Sequence, residues 1–124
     1  MSVADIANGL VKLCKRGKFM DAVNKYYSEN IVSVEPCGNE QMPAEMSGIE
    51  AIRGKNQWWA DNHEVHSIET NGPYLGKGGF AVKFKIDVTS KMNGQRMTME
   101  EVAWYTVTRG KISREEFYYN APGQ

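Results

Sequence analysis

Three segments near the C-terminal end, residues 80–89, 96–108 and 111–119, alternate between apolar and polar side chains over most of their length. Alternation with a period of two is the mark of strands with one buried and one solvated face. In the first segment Phe80, Val82, Phe84, Ile86 and Val88 form an unbroken apolar row, which must be covered by something else in the chain. The partner strands then carry carboxylates, Glu101 and Glu115, on the face that this row defines. An acid on a covered face predicts the wall of a pocket rather than a sealed core.

The cover comes from the first half. Val3, Ile6, Ala7, Leu10 and Cys14 recur at helical spacing, with Ser2 placed to cap and Gly17 to stop a helix of about three turns. Phe19, Ala22, Val23, Tyr26 and Tyr27 repeat the pattern, and a strand over residues 31–35 follows, ending at Pro36. Residues 36–47 have no period and read as a loop. Ser47 and Glu50 fit a capping box for a third helix that presents Ile49, Ile52, Asn56 and Trp59 on one face and closes at Asn62 or His63. Residues 64–70 read as a further strand, and the glycine-rich run 72–79 as the loop before the alternating segments.

Turn chemistry suggests registers. A two-residue turn at Asn93-Gly94 pairs Val82 with Tyr105, Phe84 with Ala103, Ile86 with Glu101 and Val88 with Met99. A bulge in residues 90–96 would shift this by one. A three-residue loop through Thr108-Arg109-Gly110 sets Ala103 opposite Glu115 and Glu101 opposite Phe117, and turns Ser113, Glu115, Phe117 and Tyr119 inward. A two-residue loop would present Arg114, Glu116 and Tyr118 instead. The three-residue reading is favoured, and makes Glu101 and Glu115 diagonal neighbours at roughly 7–8 Å between α-carbons.

Fifteen basic residues balance fifteen acidic ones, and they are scattered, so no footprint for nucleic acid or an anionic membrane is visible. The apolar runs are too short to span a bilayer, and the start lacks the basic-then-apolar pattern of an export leader. A cytoplasmic protein of one domain, residues 1–124, is expected, with Cys14 and Cys37 as free thiols. No cofactor motif is present, and the glycines of 72–79 lack the strand–loop–lysine–helix context of a phosphate site.

The order helix, helix, strand, helix and four strands resembles the SnoaL-like branch of the nuclear transport factor 2 superfamily, bacterial members above all. The resemblance is carried by residues 27–36 (YSENIVSVEP), 48–53 (GIEAIR) and 100–119 (EEVAWYTVTRGKISREEFYY). It implies an α+β fold in which a curved, cone-shaped antiparallel sheet wraps around the N-terminal helices, with a pocket between them and commonly a homodimer. Aligning Glu35-Pro36-Cys37-Gly38 with the Asp-Pro-Val-Gly of the more distant ketosteroid isomerases puts Glu35 where that family carries its proton-shuttling carboxylate. That family's oxyanion-hole tyrosine would fall at Leu10 and its protonated aspartate near Ala103, so its steroid isomerase mechanism does not carry over.

Glu35, Glu101 and Glu115 are therefore the candidate proton carriers. A carboxylate in an apolar cleft is pushed toward neutrality, where it serves as an acid or base. The competing reading pairs them structurally with Arg53 or Lys85, or leaves them at the open rim in water. Trp59, Phe84 and Phe117 would supply the apolar body of the pocket, Tyr105 and Tyr119 phenol donors, and His66 a proton shuttle; ordinary core packing is the alternative for the aromatics, and a sheet-edge histidine for His66. His63 and His66 lack the setting of a metal pair. The expected ligand is a small hydrophobic molecule, turned over by isomerase-, cyclase- or dehydratase-type chemistry. The other reading is a non-catalytic binding or dimerisation module with structural inward glutamates. On the outward face Val102, Trp104 and Ile112 form an apolar patch expected to join two copies, unless residues 72–79 or the tail 120–124 cover it.

Overall fold

The computed structural model describes residues 1–40 and 42–120. Helix α1 (Val3–Lys15) opens with the capping box of Ser2 and Asp5, and helix α2 (Phe19–Tyr26) follows the positive-φ Gly17. Both are strongly amphipathic, and their apolar stripes, among them Ile6, Leu10, Cys14 and Val23, are buried. The two helices cross closely at Gly9, where a Cβ would stand 1.8 Å from the Tyr26 hydroxyl. Any larger residue there would have to push the Tyr26 ring aside.

Strands β1 (Tyr27–Val34), β2 (Glu45–Ser47), β3 (His63–Gly76), β4 (Gly79–Ser90), β5 (Arg96–Thr108) and β6 (Lys111–Tyr118) form one sheet in the order β2-β1-β6-β5-β4-β3. Every pairing is antiparallel except β1 with β6, which is parallel and joins the N-terminal and C-terminal parts of the chain. The sheet curves without closing, and the helices α1, α2 and α3 (Ile49–Asn62) lie in its concave side. This is the α+β roll expected from the sequence. No helix among the described residues is long and apolar enough to cross a membrane.

Several local expectations are corrected. The supposed loop of residues 36–47 contains β2, whose Ser47 pairs with Val32, so Ser47 is occupied in the sheet and does not cap α3. Gly48, at φ 94°, makes the strand-to-helix corner in its place. The run 72–79 is not a loop either. β3 continues to Gly76 and turns within Lys77-Gly78, with a break in register between Asn71 and Tyr74.

The β4–β5 register is two residues away from the one predicted at Asn93-Gly94: Val82 faces Ala103, Phe84 faces Glu101 and Ile86 faces Met99. A longer connection forms because Ser90 N–H bonds Gln95 O at 2.8 Å and Gly94 N–H bonds Ser90 O at 2.8 Å. A slip of two keeps every side chain on its face. At the last hairpin the turn has two residues, Arg109 at φ 52° and Gly110 at φ 75°, and an extra residue, Ser113, sits between the pairs Val107–Ile112 and Thr106–Arg114. The bulge restores the predicted inward face for Glu115 and Phe117, but Tyr105 now faces Glu115 and Ala103 faces Phe117. Glu101 and Glu115 are therefore not diagonal neighbours.

Ile112 precedes that bulge, so it points inward and is fully buried rather than lying on the outer patch. Trp104 is half-buried on the outer face, its indole packed over the β3–β4 hairpin, where a Cβ on Gly79 would stand 2.8 Å and one on Gly76 2.9 Å from the ring. Val102, Tyr118 and Tyr74 stay exposed. The tail at 121–124 lies outside the described residues.

Candidate active site

Between the concave sheet and the helices lies a cavity of about 350 Å³. Glu35, Glu101 and Glu115 all line it, as do Trp59, Phe84, Tyr105, Phe117 and Tyr119. His66 does not. An irregularity in the β3–β4 pairing between Val65 and Ser67 places it on the exposed side, where Nε2 meets Thr89 Oγ1 at 2.7 Å. His63 borders the cavity instead: its ring stacks on Trp59 at 4.5 Å and Nδ1 lies 2.8 Å from Trp59 O, which sets a donor on Nδ1.

Three residues that the strand pattern alone did not select organise the carboxylates. Lys55 reaches from α3 into the cavity, with Nζ 3.1 Å from Glu35 Oε1 and 2.8 Å from the Ser33 hydroxyl, and stands 5.0 Å above the Phe117 ring. Both partners of the Lys55–Glu35 pair are mostly shielded from water, so the pair is screened little by salt. Tyr27, at the start of β1, donates its phenol hydrogen to Glu115 Oε1. The expected partners are engaged elsewhere: Arg53 bonds Asn24 and Glu50 across the helix surface, and Lys85 is exposed on the outer face.

The sequence held signals for these. Lys55 is three residues from Ile52 and four from Trp59, on the inward stripe of α3, and Ser33 and Glu35 continue the inward alternation of Ile31. Tyr27 has the same parity, but the exposed Glu29 and a shift of the β1–β6 register between Tyr27 and Val32 interrupt the alternation that would have linked it to Ile31.

The acids occupy three different environments. Glu35 has one anchored oxygen, Oε1, while Oε2 is buried without a hydrogen-bond partner. Glu115 is 2% exposed; burial pushes its carboxyl up, while the Tyr27 hydrogen bond, the Lys55 charge and the Ser33 hydroxyl hold it down. Glu101 is pushed up to about 7, first by burial and then by the negative charge of Glu35, against a smaller pull from Lys55. None of the hydrogen bonds among the described residues involves its carboxyl.

Burial likewise raises the phenols of Tyr27, Tyr105 and Tyr119, with the neighbouring acids adding to it in each case, so all three remain proton donors. Cys14, at the cavity floor, is pushed up to about 12 by burial and Glu115 and is inert as a nucleophile. The exposed Cys37 lies at the mouth. Among the described residues no three of His, Cys, Asp and Glu stand together as a metal site requires.

The model of the SnoaL-like domain family matches residues 1–119. A crystal structure from Mesorhizobium loti, named as a candidate SnoaL-like polyketide cyclase, is 45% identical, with a TM-score of 0.91 over 96% of this chain and 100% of that one. A candidate isomerase from Bacillus subtilis is 17% identical, with a TM-score of 0.79 over 97% of this chain and 90% of that one. A candidate polyketide cyclase from Pseudomonas putida is 16% identical, with a TM-score of 0.70 over 97% and 92%. The last two are likenesses of fold. The comparison with curated proteins gives no match.

Proposed function

The chain belongs to the SnoaL-like family, and from that premise we propose that it is an isomerase-, cyclase- or dehydratase-type enzyme that moves a proton on a compact, mainly apolar molecule. The observation that carries this is the unpartnered Oε2 of Glu35 in the cavity wall, with Oε1 of the same carboxylate held by Lys55. An oriented carboxylate with a free lone pair is what a general base requires.

Glu101 supplies the complementary acid. Near neutral pH it is divided between its two forms, so it can lend a proton where Glu35 removes one. In an isomerisation, Glu35 takes a proton from the carbon next to a carbonyl, the C–H electron pair forms an enol double bond, and Glu101 protonates the carbonyl oxygen. Reprotonation at a second carbon returns both groups to their starting forms. In a dehydration the same base takes the carbon-bound proton while Glu101 protonates the departing hydroxyl, which leaves as water.

Trp59, Phe84 and Phe117 hold the apolar body of the ligand, and Tyr105 and Tyr119 orient its polar end. Glu115, sealed behind Tyr27, positions that wall rather than exchanging protons with a ligand. His66 has no part in this reading, because of its exposed position.

The test uses 3-cyclohexenone as a compact probe, its conversion to the conjugated isomer being followed by ultraviolet absorbance. Glu35→Gln should lower the catalysed rate at least about a hundredfold while leaving binding in place. Equal turnover in the variant removes Glu35 from the mechanism.

The protein is further proposed to act in the cytoplasm as a homodimer, joined through the exposed Val102 and the adjoining edge of Trp104. Sedimentation at micromolar concentration should give a dimer that Val102→Glu dissociates without unfolding. A native protein that sediments as a monomer rules the contact out.

A further inference from the structure

The cavity wall holds three carboxyl groups, Glu35, Glu101 and Glu115, and, among the described residues, Lys55 as its one lysine or arginine. Lys55 is spent on Glu35 and Ser33. Glu115 is met by Tyr27. Glu101, half-buried in the same wall, has neither a hydrogen bond nor a cation of its own.

A carboxyl drawn partly out of water without a partner is costly, and the cost is largest for its ionised form. With Glu35, Lys55 and Glu101 charged, the wall carries a net charge of −1, from −1, +1 and −1; ionising Glu115 makes it −2. An anionic ligand worsens that balance, and a neutral one leaves it unchanged. Short of protonating Glu101, only a positive ligand brings it toward zero.

The rest of the wall suits such a ligand. Trp58, Trp59, Phe84 and Phe117 present aromatic surface to the cavity, and Phe117 already carries the Lys55 ammonium over its ring at 5.0 Å. Aromatic faces combined with a carboxylate are the usual means of holding an organic ammonium group.

We infer that the cavity accepts a compact organic cation, an apolar body bearing a basic or quaternary nitrogen, with Glu101 as its counter-ion. The inference rests on the proposed function only in using the same cavity, and it names the substrate class, an amine-bearing molecule; with that cation bound Glu101 stays ionised, and the acid of the proton transfer is then the Tyr105 or Tyr119 phenol.

A pH dependence follows, because the ammonium needs Glu101 ionised. The groups that bear on this titration are Glu35 just after β1, Lys55 on α3, Glu115 on β6 and, beyond its end, Tyr119. Tyr105 on β5, Tyr27 on β1, Cys14 on α1, His63 at the start of β3 and Cys37 in the loop after β1 complete the titratable lining. With Glu101 at about 7, its ionised fraction falls from about nine-tenths at pH 8 to about one-tenth at pH 6. Affinity for a permanent cation should fall about tenfold over that interval.

Benzyltrimethylammonium and neopentylbenzene, which share a shape and differ by one charge, separate charge from bulk. Binding is read from tryptophan fluorescence, since Trp58 and Trp59 line the cavity. At pH 8 the cation should bind at least about tenfold more tightly than its neutral counterpart, and the preference should fade by pH 6. Glu101→Gln should abolish both the preference and its pH slope while still binding neopentylbenzene, which also reports that the variant is folded. Neutral binding equal to or tighter than cation binding at pH 8, or a preference that survives Glu101→Gln, overturns the inference and leaves the acid–base reading standing. Failure of both probes to bind also overturns it. Unchanged turnover in Glu35→Gln defeats the acid–base reading alone.

Discussion

Replacing Glu101 by glutamine tests the electrostatics of the cavity without any substrate. Glutamine has the shape of the neutral acid, so the variant isolates what ionisation costs the fold. The folded protein holds the Glu101 proton to about pH 7, against 4.5 for a free side chain. At about 1.36 kcal/mol per pH unit, that offset amounts to about 3 kcal/mol. The side chain keeps a partly exposed edge, and screening there trims the effect to about 1–3 kcal/mol.

The sign follows from proton linkage. Between pH 4.5 and about 7 the folded state binds more protons at this position than the unfolded state, so stability falls as pH rises through that window. Below it, parent and variant should be alike. Above it, Glu101→Gln should be the more stable by about 1–3 kcal/mol, a rise in melting temperature of about 3–5 °C per kcal/mol for a chain of this size. Urea unfolding of both proteins at matched concentration and at pH 5, 6, 7 and 8 measures the difference curve. Groups common to both proteins, Glu115 among them, largely cancel. A difference that stays flat from pH 5 to 8 would show that Glu101 ionises as a solvated carboxylate, and the acid–base pairing drawn from its burial would fail with it.

Two further perturbations probe the same wall. Lys55→Met should destabilise the fold by on the order of 2–4 kcal/mol at pH 8, because Glu35 loses the ammonium that offsets its partly buried charge, and adding Glu35→Gln should recover most of that loss; denaturant melts of the single and double variants decide this, and no recovery would point to lost packing alone. Tyr27→Phe takes the phenol donor from Glu115 and should cost about 1–3 kcal/mol, measured by the same melts; a neutral effect would mean that Ser33 and Lys55 satisfy Glu115 unaided.

The sheet was readable wherever side-chain period decides the outcome. Phe80 to Val88 keep their face whether the β4–β5 hairpin closes at Asn93-Gly94 or two residues away, so the faces were right and the partners were not. Backbone hydrogen bonds chose between those closures, and Ser90, Gly94 and Gln95 carry no apolar signal that would reveal them. Ile112 shows the other side of that limit. A turn one residue shorter than expected would have inverted all of β6, and the bulge at Ser113 reversed the inversion for everything beyond it, leaving Ile112 on the unexpected face and Ser113 unpaired in the bulge, its hydroxyl on the exposed Thr108.

The same distinction separates the site residues that were legible from those that were not. Glu35, Glu101 and Glu115 stood out because acids on inward positions of amphipathic strands break the pattern, and a broken pattern is itself a signal. Lys55 breaks it too, on the inward stripe of α3, but a lysine at a helix surface is so commonly solvated that its inward direction becomes meaningful only once Glu35 is known to lie 3.1 Å away. The pairing of an acid just after β1 with a cation on α3 depends on β2 and Gly48 turning the chain back on itself, and those elements lay inside or at the edge of a segment without any period. Hence the sequence discloses which charges must be buried, while the strand-to-helix corner decides which of them meet. Glu101, for which that corner provides no cation, is the charge that a ligand is left to satisfy.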